Sequence, residues 1–397
     1  MPNMVTETRV LAAITAIVVL EIIAFVVTRH KYTNVTNRAY TNTPSSTIRV
    51  DTQMSVEAVR NVEARVQCTP TTNVVFIKTH KTGSTTVASI IERFGYLKNL
   101  SFVVPPSRRY GPHILSSNQL FTQKLIKKSP PPLNGGKYYN MLTNHVGYNR
   151  PEMEAVIPNA TYVTIIRHPV QHFESSFAYF QWKGVVTKAR KNVSDPIATF
   201  METPEEFLKS GFYFSWQSHN GQLYDLGFRP EANSTIEELV ERKINALNEE
   251  MSVVLIMEYF DESLLILMKT LCWTMDDILY LPKGVRKQSL HRQMSNETRE
   301  KILRWNEADV KLYTHFNRTL WKKISEYGPT FESDLQRFRT KQLDIKHECI
   351  DSSGVFKGDA RESRNPLKNN ATEFCNNLWY DDVTFTGLIR DRQLGGK

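Results

Sequence analysis

Residues 74–91 read VVFIKTHKTGSTTVASII, an apolar run that stops at Ile77, gives way to Lys78-Thr79-His80-Lys81-Thr82-Gly83-Ser84-Thr85-Thr86, and resumes at helical spacing. This pattern builds a seat for an anion. Gly83 lets backbone come close to a ligand, successive N–H groups and a helix start favour negative charge, the hydroxyls at 82 and 84–86 can donate, and Lys81 adds a full positive charge. An ordinary capped helix accounts for one hydroxyl, not for so many beside two lysines. A Walker A loop is excluded, because there the lysine follows the second glycine, whereas here it precedes the stretch's one glycine.

A second group lies in RHPVQHFESS. Arg167 and Ser175 are eight residues apart, so a helix starting at His168-Pro169 turns the hydroxyl about two turns on, toward the same pocket as the guanidinium. That pair suits a second phosphate. The alternative is a surface ion pair of Arg167 with Glu174.

The elements that must position these residues are readable. VVFI (74–77), TYVTII (161–166) and SVVLIM (252–257) are continuous, β-branched runs of the kind that parallel strands buried on both faces require. Each leads into a helical pattern: TTVASIIERFG, with Val87, Ile90, Ile91 and Phe94 on one face and a stop at Gly95; VQHFESSFAYF; and DESLLILMKTLCW. Repeated strand-then-helix units predict an α/β fold, a parallel sheet flanked by helices, which binds ligands at the carboxyl ends of its strands.

Together these stretches resemble a known family. Lys81-Thr82-Gly83-Ser84-Thr85 is similar to the 5′-phosphosulfate loop of sulfotransferases, and Arg167 with Ser175 to their 3′-phosphate site, in the same order and spacing. FIKTHKTGSTT, RHPVQHFESSFAYF, QLYDLGF, LIMEYFDESL and YTHFNRTLWKKI resemble the galactose 3-O-sulfotransferases over most of residues 73–325. The resemblance implies a P-loop-like sulfotransferase fold in a Golgi type II membrane enzyme. Its donor would be 3′-phosphoadenylyl sulfate (PAPS), with no metal, and its acceptor a galactose-terminated glycolipid or glycoprotein glycan, galactosylceramide among them. The cofactor contacts would be Lys78, Thr79, His80, Lys81, Thr82, Gly83, Ser84, Thr85, Thr86, Arg167 and Ser175. Nucleic acid is not among the implied partners, and a homodimer is left open.

Sulfuryl transfer to a hydroxyl needs cations on the bridging and leaving oxygens and a base on the attacking hydroxyl. Lys81 fits the first role. Histidine, ordinarily titrating near 6.5, suits the second, and the candidates are His80 in the seat and His145 in MLTNHVGYNRP. His145 is preferred, since it comes from a separate segment that can approach from the acceptor side, and the family places a histidine at a similar position. His168 and His172 flank Arg167 as supports. Tyr179, Phe180 and Trp182 are candidates for stacking on a sugar or for core, Asn220 and Asp225 for acceptor contacts or an Asx turn, and Glu258 for support at a strand end.

The chain's 397 residues, 41% hydrophobic and 11% aromatic, suffice for a substantial core, and a formal charge of +9 is compatible with a polyanionic ligand. Residues 10–27 form an apolar stretch broken only by Glu21, read as a transmembrane signal anchor behind a cytosolic tail (1–9). A Thr-, Asn- and Ser-rich stem (28–72) and a lumenal domain (73–397) follow. Sequons at Asn34, Asn99, Asn159, Asn192, Asn233, Asn296, Asn317 and Asn370 suit a secretory lumen. So do four cysteines, Cys68, Cys272, Cys349 and Cys375, in an even set open to three pairings. The segment beyond about Phe331 reads as a cover. Two other classes compete: a lumenal nucleotide kinase, which would want a magnesium-holding Asp after a strand where Arg167 and Glu258 stand, and a glycan-binding protein without turnover, which needs no cofactor seat.

Overall fold

The computed structural model describes residues 68–106, 114–230, 236–283, 294–352 and 366–395. The expected anchor (10–27), the stem up to residue 67, and the sequons at Asn34 and Asn233 lie outside the described residues. Among those described, no helix is long and apolar enough to cross a membrane.

Five strands, β1 (Val74–Ile77), β2 (Phe102–Val103), β3 (Met141–Leu142), β4 (Thr161–Ile166) and β5 (Val253–Ile256), form one sheet in the order β2-β3-β1-β4-β5. Every pairing is parallel, with Val75 beside both Leu142 and Tyr162, and Ile165 beside Leu255. The β-branched runs that predicted strands are thus β1, β4 and β5, and their residues are almost wholly buried. From β1 the chain goes first to the edge strand β2, returns inward to β3 beside β1, and then crosses to β4 and β5. The reversal places a crevice at the carboxyl ends of β1 and its neighbours.

Helices flank the sheet. Those that bear on the site are α1 (Ser84–Leu97), α2 (Pro169–Tyr179), α3 (Gly221–Asp225), α4 (Ile236–Glu250), α5 (Phe260–Leu271), α6 (Asn296–Trp305), α7 (Glu307–Tyr327), α8 (Phe331–Cys349), α9 (Glu373–Trp379) and α10 (Asp382–Gln393). On α1, Val87, Ile90, Ile91 and Phe94 are buried as their spacing requires. The helix does not stop at Gly95. A Cβ there would lie 2.4 Å from the Phe102 ring and 2.7 Å from Met141 Sδ, so this glycine serves the close approach of α1 to β2 and β3.

Both ends of the described domain are tied in more closely than expected. Residues 68–72, read as the end of the stem, belong to the fold: Cys68 is bridged to Cys272, and Thr71 donates to Leu271 O (2.8 Å) and accepts from Trp273 Nε1 (3.0 Å). The C-terminal segment does more than cover. Cys349 pairs with Cys375, α10 packs on α1, and Gln393 Oε1 accepts from Phe102 N (2.8 Å), satisfying a donor of the edge strand β2.

Beneath α10, Glu92 is buried and accepts from Thr143 Oγ1 at 2.7 Å. Burial first, and the nearby Asp382 carboxylate second, push its pKa well above the ordinary value of 4.5. The folded state therefore holds this proton more tightly than the unfolded chain. The associated stability is complete below 4.5 and is lost as pH rises through the folded-state value. Glu92→Gln, which keeps an acceptor for Thr143 and cannot ionise, is expected to melt above the wild type by a margin that widens with pH. Thermal melts at several pH values check this, and a margin independent of pH would refute it.

Candidate active site

Three adjacent strands, β3, β1 and β4, deliver the predicted residues from their carboxyl ends. The turn after β1 carries Lys78 to Gly83, the turn after β4 carries Arg167 and His168, and the segment after β3 carries Thr143, Asn144 and His145. The outer strand β5 adds Met257 and Glu258.

The β1 turn is shaped for an anion. Lys81 (φ 55°) and Gly83 (φ 80°) are left-handed, α1 begins on Gly83 with no side-chain cap, and its first turn holds no acidic residue. The positive end of the helix dipole and its first N–H groups are thereby left to a ligand. A Cβ at Gly83 would come within 2.4 Å of Met257 Sδ, so the loop admits only glycine here without repacking. Lys81 Nζ stands 3.7 Å from the Tyr179 ring centroid. Arg167 Nη1 donates to Lys81 O at 3.3 Å, putting the guanidinium against the loop. Ser175 is half-buried and sits one turn before Tyr179 on α2, on the face that meets Lys81. Donor set, charge and backbone fit a nucleotide carrying phosphates at two ends, as PAPS does.

The two histidines proposed as bases lie together, both buried, with ring centroids 4.1 Å apart and planes 14° from parallel. His145 Nδ1 is 2.9 Å from Lys78 O, which can only accept, so this nitrogen carries the proton. His80 Nδ1 lies 2.8 Å from Asp225 Oδ2, which also accepts the His80 amide at 2.8 Å, and the same tautomer follows. Each ring therefore keeps its basic lone pair on Nε2. Gln217 Nε2 donates to the other Asp225 oxygen (2.8 Å).

His172 supports the turn. Its Nε2 donates to His80 O at 3.0 Å, and burial, with a smaller opposing pull from Asp225, lowers its pKa to about 3, keeping it neutral. His168 Nδ1 caps α2 by accepting from Val170 N (3.3 Å), and its amide donates to Glu258 Oε1 (3.0 Å), which gives Glu258 its supporting task.

Several expectations change. The Lys78 ammonium is not in the anion seat; it is buried against the Asp382 carboxylate of α10. The hydroxyls expected to meet an anion build the loop instead. Thr79 Oγ1 donates to Ile165 O, Thr82 Oγ1 pairs with Thr79 Oγ1 (2.7 Å), Ser84 Oγ donates to Thr79 O (2.5 Å), and Thr86 Oγ1 accepts from Lys283 N (3.1 Å). Amides and Lys81 form the seat, with Thr85 half-buried beside them. Phe180 and Trp182 are core, whereas Tyr179 is 43% exposed. Asn220 and Asp225 turn inward: Asn220 Oδ1 accepts from Asp309 N (3.1 Å) and Asp225 holds His80. Sequence reasoning missed Gln222, whose amide group brackets the Arg167 backbone (2.7 and 2.9 Å), and Asp382. QLYDLGF entered only as a motif of the family resemblance, without singling out Gln222, and no local signal pointed to Asp382.

Lys78→Met strands a buried carboxylate and is expected to cost about 3 kcal/mol or more. Adding Asp382→Leu should restore most of that. Chemical denaturation of the single and double variants checks it; equal losses that simply add would contradict the pairing.

A family model described as galactose-3-O-sulfotransferase matches residues 3–371. Galactosylceramide sulfotransferase from Mus musculus is 31% identical over 297 residues, covering 74% of this chain and 67% of the relative. Its counterpart from Homo sapiens is 32% identical over 312 residues, 76% and 70% of the two chains. Galactose-3-O-sulfotransferase 2 from Sus scrofa is 34% identical over 288 residues, 71% and 69%. With a match across nearly the whole sequence, and an anion seat, Arg167 and paired histidines at adjacent strand ends, the chain belongs to the galactose-3-O-sulfotransferase family.

Proposed function

We propose that this protein transfers a sulfuryl group from PAPS to the 3-hydroxyl of a galactose at the end of a glycolipid or glycoprotein glycan. The observation that carries the reading is the convergence, at the ends of β3, β1 and β4, of an uncapped helix start with Lys81, a guanidinium 3.3 Å from the Lys81 carbonyl, and two histidines with basic Nε2 atoms.

Bound PAPS supplies an activated sulfuryl group on a phosphate leaving group. Lys81 and the first amides of α1 hold the 5′ end and stabilise the negative charge that grows there. Arg167, its backbone bracketed by Gln222, holds the 3′-phosphate with Ser175. His80 takes the proton of the attacking hydroxyl at Nε2. Of the stacked pair, His80 is assigned as the base because the Asp225 carboxylate holds its Nδ1–H and so orients Nε2. His145 packs against it and excludes water.

Labelled PAPS with a panel of β-galactosides tests the reading. Lys81→Ala and Arg167→Ala should each weaken 3′,5′-ADP binding about tenfold or more. His80→Ala should lower kcat by about a hundredfold or more while that affinity holds, and Asp225→Asn should lower kcat and weaken 3′,5′-ADP binding together, because the carboxylate also braces the loop. Loss of turnover in His145→Ala alone, with Asp225→Asn fully active, would move the base to His145.

We also infer a lumenal, Golgi-membrane setting with residues 10–27 as the anchor. Two disulfides and the exposed sequon residues Asn99, Asn159, Asn192, Asn296 and Asn370 support it. Expressed in secretory cells, the protein should lose mass on peptide N-glycosidase treatment and resist external protease in sealed microsomes; an unglycosylated, digestible chain would rule this setting out.

A further inference from the structure

Beside His80 lies an aromatic ledge organised around Phe180. The Phe180 ring stacks on Phe214 (4.4 Å, 11°), sits 6.1 Å from the His80 imidazole, and meets Tyr179 at 5.2 Å and Tyr213 at 6.2 Å, both edge to face. Phe180 and Phe214 are buried, whereas Tyr179 is 43% and Tyr213 73% exposed. Scattered surface aromatics need no explanation, but the backbone singles out Tyr213. Phe214 is left-handed (φ 58°), a conformation that a bulky residue adopts at a cost of about 1 kcal/mol or more. Trp182 Nε1 donates to Tyr213 O at 2.9 Å. The turn is thereby locked so that Phe214 points inward, 5.4 Å from the His80 ring, while its neighbour Tyr213 is thrown out. At the other end of the ledge, Tyr179 lies under the Lys81 ammonium. One exposed ring thus lies at the cation, and the other, Tyr213, packs on the buried Phe180 and Phe214 that line the base.

We propose that this ledge, with Tyr213 as its principal ring, is the acceptor subsite and receives the apolar C–H face of the galactose; this rests on the galactoside reading above. In a β-galactopyranoside the axial 4-hydroxyl leaves the C–H bonds at C3, C4 and C5 turned toward one face, which matches an aromatic plane. The equatorial 3-hydroxyl projects from the ring edge, so a sugar lying on the ledge can present it to His80. Tyrosine adds little conformational entropy cost and a hydroxyl for the sugar's polar rim.

The test uses the full chain in detergent with 3′,5′-ADP present, comparing wild type, Tyr213→Ala and Tyr213→Phe by saturation-transfer NMR with a methyl β-galactoside and by acceptor KM. Tyr213→Ala should weaken galactoside binding and raise KM about tenfold, and remove transfer to H3, H4 and H5 of the sugar. Tyr213→Phe should stay within about twofold of wild type, and 3′,5′-ADP affinity should be unchanged in both. If Tyr213→Ala binds and sulfates the galactoside like the wild type, the subsite is overturned. If the wild type binds 3′,5′-ADP but neither binds nor sulfates any β-galactoside, the acceptor reading itself fails and the subsite falls with it.

Discussion

A loop that turns its N–H groups toward a ligand cannot also use them to hold itself, so the site depends on what grips residues 78–83 from behind. The grip is the Asp225 carboxylate. One of its oxygens takes both the His80 amide and the His80 ring, and the other takes Gln217. Further contacts pin the rest: Thr79 to β4, His172 to the His80 carbonyl, Arg167 to the Lys81 carbonyl. They hold Lys81 in a left-handed conformation that disfavours a residue with a side chain by roughly 1 kcal/mol. The same carboxylate therefore shapes the anion seat and fixes the tautomer of the histidine next to it. Loop geometry and histidine tautomer are coupled through one side chain.

Asp225 is held in turn by polar groups from far along the chain. Asp309, at the start of α7, accepts the Gln222 and Leu223 amides (3.1 and 2.9 Å) and so caps α3. Asn306 accepts the Asn220 amide at 2.8 Å. Burial raises the Asp309 pKa to about 7 against the pull of those amides. Such a group is tolerated in the interior because it satisfies donors that α3 cannot satisfy for itself. The HNGQLYDLGF segment is thus a bracket, with Gln222 on the Arg167 backbone and Asp225 on His80, joining the turn after β4 to the turn after β1.

What could be read in the sequence divides by range. β1, β4 and β5 declare themselves because a strand buried on both faces must be apolar at every position, and the placement of the seat and Arg167 follows from the rule that α/β sheets bind ligands at strand ends. β2 and β3 are two residues each, too short for any periodicity to show. Gly95 looked like a helix stop because the close approach it serves is to residues of other strands. The hydroxyls of the loop could not be sorted into ligand donors and loop braces from composition, since both uses call for the same small polar residues. Asp225 was legible as a candidate for an acceptor contact or an Asx turn but not as the holder of His80, because that partner lies 145 residues earlier.

The lysines of the loop make the same point about charge. Lys78 and Lys81 are three residues apart in similar company, yet the first is sealed against Asp382, 304 residues away, and the second stands over an exposed tyrosine. The left-handed turn at Lys81 separates them, sending one ammonium under α10 and the other to the mouth of the crevice. A formal charge of +9 does not describe this electrostatic environment, because distant surface charges are screened over about 10 Å, while buried partners act at contact. What matters locally is the group each ammonium meets. The Lys78 ammonium is held by the Asp382 carboxylate, and the Lys81 ammonium stands over the Tyr179 ring. Two lysines of one short loop thus do different work: the first ties α10 to the turn after β1, and the second gives its carbonyl to the Arg167 guanidinium.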